Sequence, residues 1–201
     1  MLNTFHPTKR LLVETTVALM DKKAPEDISV DEVLALSGVS KGSMYHHFED
    51  LSELLEIAQI VRYAHWVDVS INGMSEIVTK SKTKEELRNA LEVVTKNTQS
   101  IKRRPSRIER AAALSKRSAS PRYYELLGKE SDRLADGLTD LARESQEKGF
   151  FRKDLNPKAI ALLVQAYTLG KIVDDYSFDP VSDDDWNQVI MNIIDRVFLA
   201  D

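Results

Sequence analysis

The sequence predicts an all-α protein with about nine helices. Apolar residues recur at spacings of three, four and seven through most of the 201 residues, which is the period of amphipathic helices. Runs of alternating β-branched residues are few, and none of them predicts a convincing strand. The chain has only seven glycines and six prolines. Breaks between helices are predicted at Gly73, Pro105, 118–120, Gly149 and Pro180.

Four helices are predicted in the first part of the chain. The first ends at a Lys-Lys-Ala-Pro sequence. Ser29 and Glu32 have the spacing of a capping box, in which the serine hydroxyl accepts from the glutamate amide while the carboxylate reaches back. A second helix therefore begins here, and Gly38 ends it. Asp50 and Glu53 repeat the capping-box spacing. The predicted bounds are 8–22, 29–37, 40–47 and 51–71.

The remaining helices follow the same apolar period and stop at the breaks named above. Their predicted bounds are 84–101, 106–117, 121–147, 157–176 and 182–199. We therefore expect a compact head of three short helices at 1–48 and a helical body at 49–201, with the fourth helix running from the head into the body.

Composition narrows the class of protein. Cysteine is absent, which excludes a disulfide framework and any thiolate zinc site. The N-terminal segment lacks the features of a signal peptide, and no apolar stretch reaches the length of a membrane span, so we expect an unexported, cytoplasmic protein. The net charge of −4 argues against a protein that binds nucleic acid over its whole surface.

Positive charge is concentrated in one segment. Residues 100–122 carry eight basic side chains against one acidic side chain, Glu109. The basic residues are Lys102, Arg103, Arg104, Arg107, Arg110, Lys116, Arg117 and Arg122. A solvated helix face, a contact with DNA phosphates and a contact with an acidic effector are all open interpretations. The three consecutive aspartates at 183–185 are explained by the dipole at the start of the last helix, so no metal site is predicted there.

Residues 38–50, GVSKGSMYHHFED, contain the most informative group of polar side chains. A metal site is disfavoured because His46 and His47 are adjacent and point about 100° apart on a helix. A catalytic site is disfavoured because Ser43 and His47, although four residues apart, lack an orienting third residue. Met44 and Phe48 share an apolar stripe and are predicted to lie in the core.

The order of elements favours a third interpretation of this segment, a helix-turn-helix. A capped helix, a glycine-containing turn and a short helix with one apolar stripe follow one another. The outer side of the short helix presents groups suited to base edges and phosphates in a major groove, and its glycine allows close approach of the backbone. These residues are Ser40, Lys41, Gly42, Ser43, Tyr45, His46 and His47.

Residues 8–58, above all ISVDEVLALSGVSKGSMYHHFEDLSELLEIA, resemble the N-terminal DNA-binding domain of the tetracycline-repressor (TetR) family. The matching features are the capped helix, Gly-Val, Ser-Lys-Gly-Ser, the Tyr-His-His-Phe ending and the following Leu-Leu. The resemblance implies that the third helix is the recognition helix, that Tyr45 contacts a phosphate, and that Ser29 lies at the backbone-contacting start of the second helix. One departure is Leu51, where the family often has a phosphate-binding lysine. Modest affinity and a shallow salt dependence are therefore expected.

The resemblance also implies a function for the whole chain: a homodimeric regulator, a repressor, that a small-molecule effector releases from a palindromic operator. The last two helices would form the dimer interface, with packing inside the chain as the alternative. The interface candidates are Ile160, Leu163, Tyr167, Gly170, Val173, Ile190, Ile193, Ile194 and Val197. The middle helices would enclose a hydrophobic effector pocket, again with ordinary core packing as the alternative. The pocket candidates are Tyr63, Trp66, Met74, Tyr123, Tyr124, Phe150 and Phe151.

Two other classes of function stay open. An all-α enzyme or small-molecule carrier would use the body pocket for chemistry, although the sequence contains no recognisable catalytic, metal or cofactor-binding constellation. A helical adaptor would bind another protein through its head, which the acidic balance of the chain favours. We therefore predict no catalytic residue, no metal and no cofactor, and double-stranded DNA as the main partner.

Overall fold

The computed structural model describes residues 2–116 and 120–200 and shows an all-α fold, as the sequence predicts. Within those residues, β-type pairing is limited to one isolated antiparallel bridge between Phe151 and Leu199. None of the described helices is long and apolar enough to cross a lipid bilayer. The predicted end of the sixth helix at Arg117 lies outside the described residues.

The chain divides into two compact units, each with its own apolar core. The first unit comprises Met1–Trp66 and Lys116–Glu130, and the second comprises Val67–Ser115 and Ser131–Asp201. Two long helices contribute residues to both units. The helices are α1 (Pro7–Met20), α2 (Val30–Ser37), α3 (Lys41–His47), α4 (Leu51–Lys80), α5 (Lys84–Gln99), α6 (Arg104–Ser115), α7 (Pro121–Glu147), α8 (Pro157–Gly170), α9 (Ile172–Asp175) and α10 (Asp183–Ile193), followed by a π-helical turn at Ile194–Phe198.

The first unit is held together by apolar side chains from α1, α2, α3 and the start of α4. Leu12, Val13, Val33, Met44 and Leu54 are all 0% exposed in this core. Burial of each such side chain contributes about 1.5–3 kcal/mol of transfer free energy. Because α2 and α3 are too short to be stable alone, it is this packing that keeps them helical.

The serine caps of α2 and α3 and the glycine between the two helices have the geometry that the sequence predicts. Ser29 Oγ accepts from the amide of Glu32 at 3.3 Å, and Ser40 Oγ accepts from the amide of Ser43 at 3.2 Å. Gly38 ends α2 with φ at 67°, a left-handed conformation that costs a residue with a Cβ atom about 1 kcal/mol. The Glu32 carboxylate was expected to complete the capping box, but it pairs instead with a lysine amino group outside the helix.

Helix α4 is longer than predicted, because it runs to Lys80 and contains Gly73 in its interior. The prediction of a break at Gly73 is therefore wrong. Glycine in a helix interior costs only about 1 kcal/mol relative to alanine. The turns that follow offset this cost: Val78 is 2% exposed, and Met74 and Ile77 pack against the same core of the second unit.

The second unit packs α5, α8, α10 and the adjoining parts of α4 and α7 around its own core. Leu87, Leu141, Ile160 and Ile190 contribute buried side chains from four of these helices. The amphipathic period places such residues on one face of each helix, and the opposite faces are polar or exposed.

The single helix predicted over 157–176 is divided into α8 and α9, with Lys171 between them. The Lys171 side chain is 3% exposed, and its amino group donates to the Asp183 carboxylate at 2.6 Å. A buried ammonium requires such a partner, so the break in the helix coincides with an ion pair between a buried lysine and a partly exposed aspartate.

Candidate nucleic-acid interface

Helix α3 is a surface helix with one buried edge. Met44 and Phe48 are 0% and 2% exposed and belong to the core of the first unit. Tyr45, on the other side, is 45% exposed. The structure therefore has the arrangement that the helix-turn-helix interpretation requires, with an apolar edge beneath and a polar edge outward.

None of the eight residues predicted to contact DNA is buried. Six are exposed and two are half-buried in the structure of the single chain. The exposed ones are Ser29, Ser40, Lys41, Gly42, Tyr45 and His46, and the half-buried ones are Ser43 and His47. Each of these residues can therefore present a polar group or its backbone to another molecule.

The hydroxyls of Ser29 and Ser40 begin α2 and α3. Each oxygen already accepts from an amide of its own helix, which leaves the hydroxyl hydrogen available as a donor. Hydroxyl donors of this kind are among the groups that contact phosphate oxygens in protein–DNA interfaces. The two serines thus stabilise the motif and could also contact a phosphate backbone.

Gly42 keeps the outer surface of α3 free of a side chain. A Cβ atom at this position would meet no described atom within 4 Å, and the backbone is not in the left-handed region. Alanine would favour the helix by about 1 kcal/mol. The packing of the described residues gives no reason for glycine here, whereas close approach of another molecule to the backbone would.

His6, which sequence reasoning missed, lies beside α3. Its ring centre is 5.1 Å from that of His47, and the His47 ring centre is 5.1 Å from that of His46. His6 also caps α1, because its Nδ1 accepts from the amide of Thr8 at 3.3 Å. The pKa of His47 is lowered, first by burial and then by His6, His46 and Lys9. Proximity between residues so far apart in the chain has no local sequence signal.

Lys9 adds a cationic group next to these rings. Its amino group lies 4.8 Å from the centre of the Phe48 ring and 5.4 Å from that of Phe5, which are cation–π distances. Burial and then Arg122 lower the pKa of Lys9, while Glu53 acts in the opposite direction. The amino group is thus held near the C-terminal end of α3.

Part of the positive charge in residues 100–122 is used inside the first unit. Lys116 lies 3.7 Å from the carboxylate of Glu56, and Arg122 forms an ion pair with Glu53. Both acids come from α4. Neutralisation of these two cations by partners far away in the sequence favours a structural role for this end of the basic segment.

Arg107, from the same basic segment, is fully buried in the second unit. Its guanidinium donates to both carboxylate oxygens of Asp175, at 2.7 and 2.6 Å. It also donates to the carbonyl oxygens of Thr98 and Ser100, at 3.3 and 3.2 Å. This bidentate, fully paired arrangement is a strong form of ion pair, and it makes Arg107 unavailable to DNA or to an effector.

Four of the predicted pocket residues lie in the first unit. Tyr63 and Tyr123 are buried, Trp66 is half-buried and Tyr124 is exposed. The ring centres of Tyr63 and Trp66 are 5.6 Å apart. Burial, followed by the Glu56 carboxylate, raises the pKa of Tyr123 to about 12, so its phenol is neutral under ordinary conditions.

The other three predicted pocket residues, Met74, Phe150 and Phe151, lie in the second unit and take part in its apolar core. An open groove of about 300 Å³ in the same unit has a different lining. Its residues are Glu76, Ile77, Lys80, Ser81, Glu86 and Ala90.

The residues predicted for the dimer interface fall into two groups, one buried and one exposed. Ile160, Ile190 and Ile194 are buried in the second core, and Tyr167 and Ile193 pack against it. The exposed group consists of Leu163, Gly170, Val173 and Val197. Other large apolar side chains of the same region are exposed as well, namely Leu162, Tyr176, Phe178, Val181 and Val189.

The acidic residues at the start of α10 have partners within the chain. Asp183 accepts from Lys171 and from the amide of Ile101. Burial opposes ionisation of Asp183, but these two hydrogen bonds hold its pKa below the usual value. The hydroxyl of Ser182 donates to Asp185 at 2.7 Å. Across residues 2–116 and 120–200, no group of three or more histidine, aspartate and glutamate side chains has the arrangement of a metal site.

Comparison with known proteins identifies the N-terminal segment. Residues 12–58 match the family described as bacterial regulatory proteins, tetR family. The matched residues include the whole of α2 and α3 and the start of α4. A comparison with curated proteins found no match.

Solved structures of regulators share the fold over nearly the whole chain. A TetR-family transcriptional regulator from Mesorhizobium loti is similar with a TM-score of 0.70 and 12% identity, over 96% of this chain and 97% of that one. A transcriptional regulator from Saccharomonospora viridis, in complex with choline, has a TM-score of 0.66 and 17% identity, over 96% and 98%. The ketosteroid transcriptional regulator KstR2 of Mycobacterium tuberculosis has a TM-score of 0.54 and 16% identity, over 98% of each chain.

The segment that carries the surface helix α3 is the one that the family description matches, and the rest of the chain follows the same fold. Residues 12–58 therefore match the family of bacterial regulatory proteins described as the tetR family, and the chain has the fold of solved TetR-family transcriptional regulators.

Proposed function

We propose that this protein is a ligand-responsive transcriptional repressor of the cytoplasm, which binds a palindromic operator as a homodimer and is released by a small-molecule effector. Residues 1–48 would bind DNA, and residues 49–201 would bind the effector and the second copy. The observation that carries the proposal is the capped surface helix α3, which has Met44 and Phe48 buried and its polar edge exposed.

DNA binding rests on a small number of placed groups rather than on a general positive field. Residues 1–48 contain five basic and six acidic side chains. Lys41 and Tyr45 are exposed on α3, where a recognition helix makes its contacts. Lys41 would contact a base or a phosphate, and the Tyr45 hydroxyl would donate to a phosphate. The salt dependence of binding should therefore be shallow.

Dimerisation would cover apolar side chains that α8, α9 and α10 leave exposed. Val173 is 83% exposed and Leu162 is 67% exposed. Neighbouring exposed apolar side chains of this kind mark interaction sites in soluble proteins. A palindromic operator follows from the two-fold symmetry of such a dimer, with half-sites about 34–36 Å apart.

The effector would be a hydrophobic small molecule that contacts some of the aromatic residues named above. The solved structures of similar fold include a choline complex and a ketosteroid regulator, which supports ligand binding by this architecture without identifying the ligand. Helix α4 contributes residues to both units, and we infer that its movement couples the two binding events. The coupling would be about 1–3 kcal/mol, and DNA would weaken effector binding by the same factor.

The proposal is tested by selection from a pool of random-sequence duplexes, followed by gel shifts at two salt concentrations. A palindrome with one consensus half-site per head should be enriched. Lys41→Ala should weaken binding to the enriched duplex, and candidate effectors titrated into the complex should release it. Failure to enrich any sequence, together with equal binding by wild type and Lys41→Ala, would contradict DNA recognition through α3.

A further inference from the structure

Three of the four histidines in the chain gather where α1 begins and α3 ends. His6 precedes α1, and its ring centre lies 5.1 Å from that of His47, which in turn lies 5.1 Å from that of His46. We call these three residues the imidazole cluster. The helix-turn-helix motif explains two of its members, because they belong to α3. It does not explain His6, which comes from another element.

The charged and titratable groups that act on His47 are other histidines and a lysine, while Glu49 and Asp50 follow α3 in the chain. The neighbours that act on the pKa of His47 are His6, His46 and Lys9, and each lowers it. Burial and then Arg122 lower the pKa of Lys9, and Glu53 of α4 raises it. The Glu53 carboxylate is itself engaged by Arg122. Protonation of one ring therefore disfavours protonation of the next, unless an anion lies among them.

An anion would fit this arrangement better than a metal ion or a neutral ligand would. The Nδ1 atom of His6 accepts from the amide of Thr8, so its Nε2–H can donate to a phosphate oxygen while the cap of α1 stays in place. An imidazolium at His46 or His47 donates from both ring nitrogens, and phosphate oxygens accept such hydrogen bonds. The three side chains are exposed or half-buried, so a ligand can reach them without rearrangement of the core. His46 and His47 lie at the C-terminal end of α3, so the imidazole cluster extends the proposed DNA-contacting surface beyond the first turn of that helix.

We propose that His6 is a DNA-contacting residue, and that the imidazole cluster of His6, His46 and His47 binds one backbone phosphate and takes up a proton as it does so. This inference rests on the proposed DNA-binding function and adds to it a third contact element, the start of α1. Imidazoles and a nearby amine would then supply part of the phosphate contact that Leu51, in the position of the usual lysine, does not provide.

The direction of the pH effect on DNA affinity follows from the coupling of proton binding to DNA binding. A phosphate stabilises the imidazolium, so the histidine pKa is higher in the DNA complex than in the free protein. The extra affinity is therefore fully present below the pKa of the free protein, and it is lost as the pH rises through the pKa of the complex. Each proton taken up changes affinity by at most about tenfold per pH unit.

The test measures affinity against pH by fluorescence anisotropy at constant ionic strength, from pH 5.5 to 8.0. The probes are the duplex enriched by selection and a random-sequence duplex. The variant is His6→Asn, because asparagine retains the ability to cap α1 but removes the imidazole ring from the cluster. The matched control is His65→Gln, since His65 is the fourth histidine of the chain and lies on α4. Thermal unfolding verifies that both variants are folded.

Wild type should bind both probes about tenfold more tightly at pH 6.0 than at pH 7.5, as expected for an average uptake of somewhat less than one proton per bound dimer. His6→Asn should lose most of that gain, and His65→Gln should retain it. DNA binding by wild type with a pH profile that coincides with that of His6→Asn would overturn the inference and leave the proposed function standing. Absence of binding to either probe at every pH would overturn both.

Discussion

At the scale of single residues, the same side-chain type has opposite roles according to where the fold places it. Arg107 is fully buried and paired with Asp175, whereas Arg88 lies on the surface beside Asp195. In the sequence, Arg107 belongs to the basic segment. In the structure, its guanidinium is buried inside the second unit and paired there. Tyr123 is buried and Tyr45 is exposed, so only the latter can contact a large ligand without movement.

Replacement of Tyr45 by phenylalanine should weaken binding to all duplexes alike. If the hydroxyl donates to a phosphate and the ring contacts no base, the loss is about 1 kcal/mol, or roughly fivefold in affinity. Gel shifts with the enriched duplex and with single-base variants of it measure this. A changed ranking among those duplexes would show that Tyr45 reads sequence instead.

Replacement of Arg107 by methionine should destabilise the protein by about 3–5 kcal/mol, because it leaves the Asp175 carboxylate buried without its partner. The free energy of unfolding from urea titration measures this. The control is Arg88→Met, which disrupts partly exposed pairs with Asp195 and Glu92 and should cost at most about 1 kcal/mol for each pair. Equal losses in the two variants would mean that the buried pair has no special contribution.

At the scale of elements, glycine has three different roles in this fold. Gly38 supplies the left-handed conformation that ends α2. Gly42 keeps the outer face of α3 open, and Gly73 is carried within α4 with nothing within 4 Å of where its Cβ would be. Each role follows from backbone conformation and neighbours rather than from the residue type alone.

Two alanine substitutions should separate stability from DNA binding. Gly38→Ala forces a Cβ into the left-handed region and should cost about 1 kcal/mol of unfolding free energy. Gly42→Ala should stabilise the protein by up to about 1 kcal/mol and should weaken DNA binding, since the added methyl group projects from the outer face. Thermal unfolding and gel shifts measure the two effects. Unchanged DNA binding by Gly42→Ala would show that close approach of DNA to the backbone of α3 does not contribute to binding.

The sequence predicted those elements for which the signal is local. The apolar period located the helices, and the serines and glycine around α2 and α3 placed their ends within a residue or two. The break predicted at Gly73 is wrong because glycine is a weak helix breaker. Burial of the residues that follow it outweighs the free-energy cost of a glycine in the helix.

Contacts between distant parts of the chain had no such signal. Two such contacts are that of His6 with His47 and that of Arg107 with Asp175. Each joins residues from separate elements and depends on packing that no short motif encodes. The sequence shows how many charged residues the basic segment contains, but only the structure shows which groups pair with them. The roles of the pocket and interface residues stay predictions.

At the scale of the whole molecule, the exposed apolar side chains of α8, α9 and α10 are the feature that one chain alone does not account for. Val173 of α9 and Phe178, in the segment between α9 and α10, lie almost entirely in solvent when the chain is alone. A second copy that covers them would bury apolar area from both partners and would bring two heads together on one operator.

If the protein is the dimer proposed above, replacement of Val173 by aspartate should convert it to a monomer, because the interface would have to bury an unpaired charge. Since Val173 is 83% exposed, the fold of the single chain should not change. Light scattering after size exclusion measures the mass. The control is Val93→Asp, at another exposed valine, on α5. A dimeric Val173→Asp protein would place the interface elsewhere.

The thirty residues of α4 form one unbroken rod, about 45 Å long at 1.5 Å per residue. In a rod of that length, a tilt of about 5° at one end displaces the other by about 4 Å, more than the roughly 3.4 Å rise of one DNA base pair. Under the proposed function, a slight tilt at the C-terminal end of α4 would shift residues 1–48 out of register with the operator while every helix stays folded.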